Sequence, residues 1–193
     1  MTTEEARDPS AGVAAVTGFS TRDMDELCDA TETAIAAGGG FGWLKPPPRQ
    51  TLEAYWNGVL LVPERTLFVA RLDDVICGSV QLVRPSRNSE ATAFAAQMTT
   101  FFIAPWARGH GLARALILAV EDTARAEGFT RLNLDLRETQ EAAIALYDSL
   151  GYARWGTNPS YARVDGRMIA GHYYGKALGK VKSKGKNKAA GKA

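Results

Sequence analysis

The stretch from Thr99 to Ala119, TTFFIAPWARGHGLARALILA, constrains what this chain can fold into more than any other. It passes from a β-prone apolar run at Phe101, Phe102 and Ile103, through a Pro105-Trp106 turn, into Arg108-Gly109-His110-Gly111-Leu112-Ala113 and on into an apolar helix. A strand, a glycine-containing turn and a helix start, in that order, make an anion site. The first turn of a helix presents backbone N–H groups without intrahelical partners, and the aligned peptide dipoles add partial positive charge there. Glycine at 109 and 111 keeps Cβ atoms out of a phosphate's way, and Arg108 adds a full charge beside it.

The rest of the composition narrows the classes open to such a chain. Its 193 residues, 46% hydrophobic, suffice for one domain with a sizeable core and are too few for two comfortable ones. The formal charge of +2 hides an asymmetry, because six lysines (Lys180, Lys182, Lys184, Lys186, Lys188 and Lys192) crowd the last fourteen positions. Without them 17 basic residues face 21 acidic ones, so the body carries about −4 and is no obvious binder of polyanions. The tail itself is expected to be disordered, touching nucleic acid only weakly through salt-sensitive charge. Cys28 and Cys77 form neither a disulfide framework nor a zinc pattern, and His110 and His172 lie too far apart to suggest a metal site. No signal-peptide pattern opens the chain and no run of 18 apolar residues occurs, so a soluble cytoplasmic protein without a membrane partner is the expectation.

Periodicity orders the elements. After a flexible segment over residues 1–12, a short strand is expected from Val13 to Phe19. Ser20 or Thr21 then caps a helix with Met24, Leu27, Cys28, Thr31, Ala34 and Ile35 on one face, which Gly38-Gly39-Gly40 stops. A loop carrying Phe41 and Trp43 leads through Pro46 to Pro48 into a second helix over 51–61, with Leu52, Tyr55, Trp56, Val59 and Leu60 facing in. The period then falls to 2, and 66–72 with 75–84 reads as a hairpin turning at Asp73-Asp74, followed by a third strand over 95–104. A helix over 111–127, burying Leu112, Ala115, Leu116, Ala119, Val120 and Thr123, leads to a strand over 132–136 that must run parallel to the third. A helix over 140–150 ends at Gly151, and 152–156 with 167–177 reads as a terminal hairpin. The fold class is therefore α/β (α+β): one domain over 13–178, a mixed sheet flanked by about four helices, and the tail over 179–193.

Two motifs now stand in one order: Arg108-x-x-Gly111-x-Ala113 between strand and helix, and Gln140-x-x-Ala143-Ile144-x-Leu146-Tyr147-x-x-Leu150-Gly151-Tyr152 on the later helix. Together, in that context, they resemble the signatures of the GCN5-related N-acetyltransferase (GNAT) superfamily. Within it the chain is most similar to small single-domain enzymes of the tabtoxin-resistance type, which share an aromatic-Gly-Pro loop and endings such as Gly156-x-x-Pro159-x-Tyr161-Ala162 before Tyr173-Tyr174-Gly175-Lys176.

The resemblance implies acetyl-CoA as co-substrate and no metal. Its pyrophosphate is expected on the N–H groups of Gly109, His110, Gly111, Leu112, Ala113 and Arg114 with Arg108 at the rim, and its pantetheine arm along the backbone of Phe102 and Ile103. Gln140, where the family usually has Asn, would touch CoA, and Tyr147 would protonate the departing thiolate, a role that suits a phenol neutral at pH 7. Gln97 stands where relatives often hold a glutamate base and cannot serve as one. Asp135, in an otherwise apolar strand, is the remaining carboxylate that could bind or deprotonate the acceptor amine, or could merely pair with Arg131 or Arg137. Phe41, Trp43, Gln97, Thr99, Asp135, Tyr161 and His172 are expected to line the acceptor pocket.

The function implied is transfer of acetyl to a primary amine of a small molecule by direct attack. Acetylation of a protein or peptide amine, or a silent acyl-CoA sensor, are the alternatives. A homodimer is allowed by the sequence.

Overall fold

A computed structural model describes residues 9–39 and 41–179; the expectations for 1–8, for Gly40 and for the lysine-rich tail from 180 onward lie outside the described residues. Seven strands form one sheet in the order β1-β2-β3-β4-β5-β7-β6. They are β1 (Ala11–Val16), β2 (Arg65–Leu72), β3 (Val75–Val83), β4 (Ala95–Ile103), β5 (Arg131–Arg137), β6 (Ala153–Val164) and β7 (Arg167–Ala177). All neighbours pair antiparallel except β4 and β5, the pair joined by a crossover helix. Helices α1 (Thr21–Ala36) and α2 (Arg49–Leu60) cover one face; α3 (Leu112–Ala126) and α4 (Glu141–Ser149) cover the other.

Alternation along the strands divides the core between these layers. On β2, Leu67 and Val69 pack with Leu27, Ile35, Leu52 and Trp56 of α1 and α2, whereas Phe68 and Ala70 pack with Leu116, Ile117 and Val120 of α3. Strands buried on both faces explain why β2 and β3 read as nearly continuous apolar runs. Local chemistry sets the element ends. Ser20 and Asp23 close a reciprocal capping box at the start of α1, and Asp73 and Asp74 both take positive φ (49° and 64°) in the hairpin turn.

Three elements differ from the sequence expectation. β1 begins at Ala11 and ends at Val16, because Gly18 to Ser20 must leave the sheet for Ser20 to cap α1. β6 runs to Val164 rather than stopping at Gly156, with register shifts between Arg154 and Gly156 and between Asn158 and Ala162. The second shift accommodates Pro159, which has no N–H for a ladder, on a strand at the sheet edge. Lastly, α3 buries Ile117, Glu121 and Ala124 instead of Ala115 and Thr123. Glu121 is wholly buried, and its carboxylate is held by Lys176 Nζ at 2.7 and 2.8 Å and by Arg125. A charge counted as outward by its type is turned inward by a partner on β7.

Candidate active site

β4 and β5 pair over only three positions, Ala95 with Arg131, Ala96 with Leu132 and Gln97 with Asn133. Beyond Gln97 the parallel strands part, so one edge of β4 from Met98 onward faces a gap instead of a ladder. Within that stretch Thr100 takes φ 52°, and the pairing of β4 with β3 shifts between Ser79 and Gln81. A non-glycine residue in the left-handed region needs support. Tyr55 supplies it from α2: Gln81 Nε2 donates to Tyr55 Oη at 3.1 Å, which leaves the phenol proton for Thr100 Oγ1 at 3.2 Å. Arg65 donates in turn to the Gln81 amide oxygen. This polar chain explains why Gln81 is tolerated fully buried in β3.

Two cavities open on the gap. The first, about 460 Å³, runs from Arg108 and Ala113 past Ile103, Phe102 and Phe101 to Gly38, Gly39 and the start of α4. At its Arg108 end, Gly109 and Gly111 take φ 90° and 74°. A Cβ at either would meet no protein atom within 4 Å, so what the protein itself asks of glycine here is conformational. Gly111 caps α3 without a side-chain bond, and Ala115 N–H donating to Gly111 O is the first bond of the helix. Among the described residues, the N–H groups from Gly109 to Arg114 have no partner. Such a start attracts a polyanion.

The second cavity, about 750 Å³, draws its walls from β5, from the loop before α2, and from α2, β4, α4 and β6. Phe41, Trp43 and Tyr55 form an aromatic side, with Trp43 and Tyr55 rings edge to face at 5.2 Å. Thr99, Phe101, Asp135, Arg137, Tyr147, Tyr161 and Arg163 also reach it. Both Asp135 oxygens are engaged, Oδ1 by Gln97 Nε2 at 3.1 Å and Oδ2 by the Tyr161 hydroxyl. Burial, and then the bond to Asp135, push the Tyr161 phenol well above its ordinary range. Tyr147 is 3% exposed, and burial alone raises its phenol strongly. Phe101, Gln140 and Ala143 line both cavities, so the two meet at the start of α4. Gln140 stands at the N-cap of that helix with no side-chain cap bond, leaving its amide free to turn toward either.

The structure thus gathers Phe41, Trp43, Thr99, Asp135, Tyr147 and Tyr161 around one cavity, and Phe102, Ile103, Arg108, Ala113 and Gln140 around the other. Some expected residues stand elsewhere. Gln97 lies behind Asp135 as its hydrogen-bond donor. His172 pairs with Leu136 across β5 and β7, so it occupies the sheet face opposite Asp135, where it bonds Thr157 Oγ1 at 3.1 Å and approaches Arg154. Neither arginine flanking Asp135 pairs with it. Arg131 donates to Asn133 and Arg137 to the backbone oxygen of Gly39 at 2.6 Å. At the start of α3 only the N–H groups are expected to serve, and the side chains are engaged separately: His110 is exposed and hydrogen-bonds Ala107 O, Leu112 turns into the core, and Arg114 bonds Ser149 on α4. Sequence reasoning missed Tyr55, Thr100, Arg137 and Arg163. The one available signal was polar Ser79 and Gln81 inside an otherwise apolar strand.

Comparison with known proteins places this geometry. The sequence pattern of the acetyltransferase (GNAT) family matches residues 25–152. An uncharacterized N-acetyltransferase from the hisH-hisA intergenic region of Azospirillum brasilense is 64% identical over 122 residues, 63% of this chain and 73% of that protein. An N-acetyltransferase from Staphylococcus aureus Mu50 superposes with a TM-score of 0.74 at 18% identity, over 88% of this chain and 99% of its own. A phosphinothricin acetyltransferase from Sinorhizobium meliloti, solved with acetyl-CoA, superposes with a TM-score of 0.72 at 18% identity, over 93% and 94%. At those identities the two structures speak for the fold alone.

Proposed function

The chain belongs to the acetyltransferase (GNAT) family, and from that premise we propose that it transfers acetyl from acetyl-CoA to the primary amine of a small molecule, by direct attack in a ternary complex. The observation that carries this reading is the meeting of two cavities at Phe101, Gln140 and Ala143, one leading to an uncapped helix start and the other holding Asp135 and Tyr147.

The donor side fits the co-substrate by its chemistry. Unpartnered N–H groups from Gly109 to Arg114, with Arg108 alongside, suit a pyrophosphate. The open edge of β4 at Phe102 and Ile103 suits an amide-bearing arm that pairs like a strand. Acetyl-CoA, when bound, supplies an acyl carbon activated as a thioester. Gln140 contributes amide contacts where the cavities join.

Asp135 receives the acceptor as an ammonium and takes its proton, with Gln97 and Tyr161 fixing the carboxylate plane. Tyr147 gives its proton to the departing thiolate. Its raised pKa keeps it protonated until that moment. Phe41, Trp43 and Thr99 enclose the amine's substituent. A direct attack needs no enzyme nucleophile, and the two cysteines do not offer one: Cys28 and Cys77 are fully buried, and burial pushes both thiols up to about 11.

The test is release of CoA thiol against a panel of small amines, with Tyr147→Phe as control. Turnover on at least one amine, lost in the variant, is the expected result. Acetyl-CoA binding without turnover on any amine would instead favour a sensor.

A further inference from the structure

We propose that Tyr55 is a positioning residue for the transfer: through its bond to Thr100 it holds a bulge in β4 that aims Phe101 at the meeting point of the two cavities, and so it sets kcat without a share in acetyl-CoA binding. This deepens the proposed function and rests on it.

The bulge decides what faces the reaction. Val80 of β3 lies opposite two residues of β4, Thr100 and Phe101, because Gln81 pairs with Thr99 and Ser79 with Phe102. One extra residue turns over every side chain beyond it. Before the bulge the even-numbered Ala96 and Met98 belong to the core under α3 and α4. After it the odd-numbered Phe101 and Ile103 pack there, and Phe102 joins the core under α1 and α2. Phe101 thereby comes within 5.8 Å of the Tyr147 ring, centroid to centroid, and lines both cavities. A β4 without the bulge would send Phe101 to the other face and take it off Tyr147.

The bulge needs holding. A bulge residue at positive φ is ordinarily glycine, whereas here it is a β-branched threonine at φ 52°. Two side chains bind it: Ser79 Oγ donates to Thr100 O at 3.4 Å, and Tyr55 Oη bonds Thr100 Oγ1 at 3.2 Å. The direction of the second bond is set from behind. Arg65 can only donate, so it draws the Gln81 amide oxygen toward itself; the amide nitrogen then donates to Tyr55, and the Tyr55 proton goes to Thr100. The Tyr55 ring is itself packed edge to face with Trp43 and Trp56 at 5.2 and 4.9 Å. Phenylalanine at 55 keeps those contacts and loses only the hydroxyl, and glycine at 100 takes the same φ without support.

The experiment is a double-mutant cycle on these two residues. Turnover is measured by CoA thiol release with the best amine and referred to the concentration of acetyl-CoA-binding sites, so that loss of folded protein does not register. Tyr55→Phe is expected to lower kcat on the order of 10-fold, the worth of about one hydrogen bond at a strained residue, with acetyl-CoA affinity and the acceptor KM holding. In a Thr100→Gly background the same substitution should cost less than about 2-fold, because the strained residue it supports is gone. An unchanged kcat in Tyr55→Phe overturns the proposal. So does an equal loss in both backgrounds, or a change confined to KM, either of which would make Tyr55 a direct contact of the acceptor. Those outcomes leave the proposed function standing, whereas a wild-type protein that binds acetyl-CoA and turns over no amine removes both.

Discussion

The start of α3 is built from the backbone of one contiguous stretch, Arg108 to Arg114, whereas the second cavity takes side chains from the loop before α2, from α2 itself, and from β4, β5, α4 and β6. The first site depends on φ at two glycines and on peptide dipoles, which few residue types alter. The second depends on which side chains a register shift and a strand crossing bring together. A molecule arranged this way can keep one donor while its acceptor is retuned residue by residue.

Several substitutions would break or sharpen that contrast. The largest effect is expected at the buried phenol of the second cavity. Tyr147→Phe keeps the ring in the core and removes the proton donor, so kcat should fall on the order of 100-fold or more while acetyl-CoA affinity holds. Steady-state kinetics with independent measurement of acetyl-CoA binding checks this. The same residue predicts a pH response. Burial raises the phenol, so it stays protonated as pH passes its ordinary value near 10, and kcat should show no alkaline loss from this group up to about pH 10. A limb between pH 8 and 9 that vanishes in Tyr147→Phe would contradict the buried acid.

Next in size is Gly111→Ala. An L-residue at φ 74° costs about 1–2 kcal/mol, which should weaken acetyl-CoA binding roughly 10-fold, read by calorimetry, and leave the acceptor KM alone. Smaller still is Gly171→Ala, which displaces the Tyr161 ring from β7 and frees one oxygen of Asp135. The acceptor KM should rise by a factor of about 3 to 10, the worth of about one hydrogen bond, with acetyl-CoA affinity unchanged. Reversed effects of the two glycine variants would mean that the two sites are not separable.

The two regions also differed in how far the sequence disclosed them. Arg108 to Ala113 were legible because a helix start announces itself locally, by glycine spacing after a strand, and the element order followed from period changes of the same short range. Tyr147 was legible only through the motif around it, since an amphipathic helix alone would make it a core residue. The partners of Asp135 were not. Its bond to Tyr161 spans 26 residues and needs a bulge in β6, and that of Tyr55 to Thr100 spans 45 and needs one in β4. Hydrophobic period places a residue on a face but says nothing of a slipped register, and membership of the terminal hairpin, which is what put His172 in the expected pocket, does not say that its pairing with Leu136 sets it on the other face. Glu121 shows the same limit in the core, for its partner Lys176 lies 55 residues away.

The central claim is that donor and acceptor occupy adjoining sites at once and react directly across Phe101, Gln140 and Ala143. Initial velocities measured while acetyl-CoA and the best amine are varied together test it most directly. Double-reciprocal lines that intersect are predicted, as a ternary complex requires. Parallel lines, the mark of an acetylated enzyme formed before the amine binds, would contradict it.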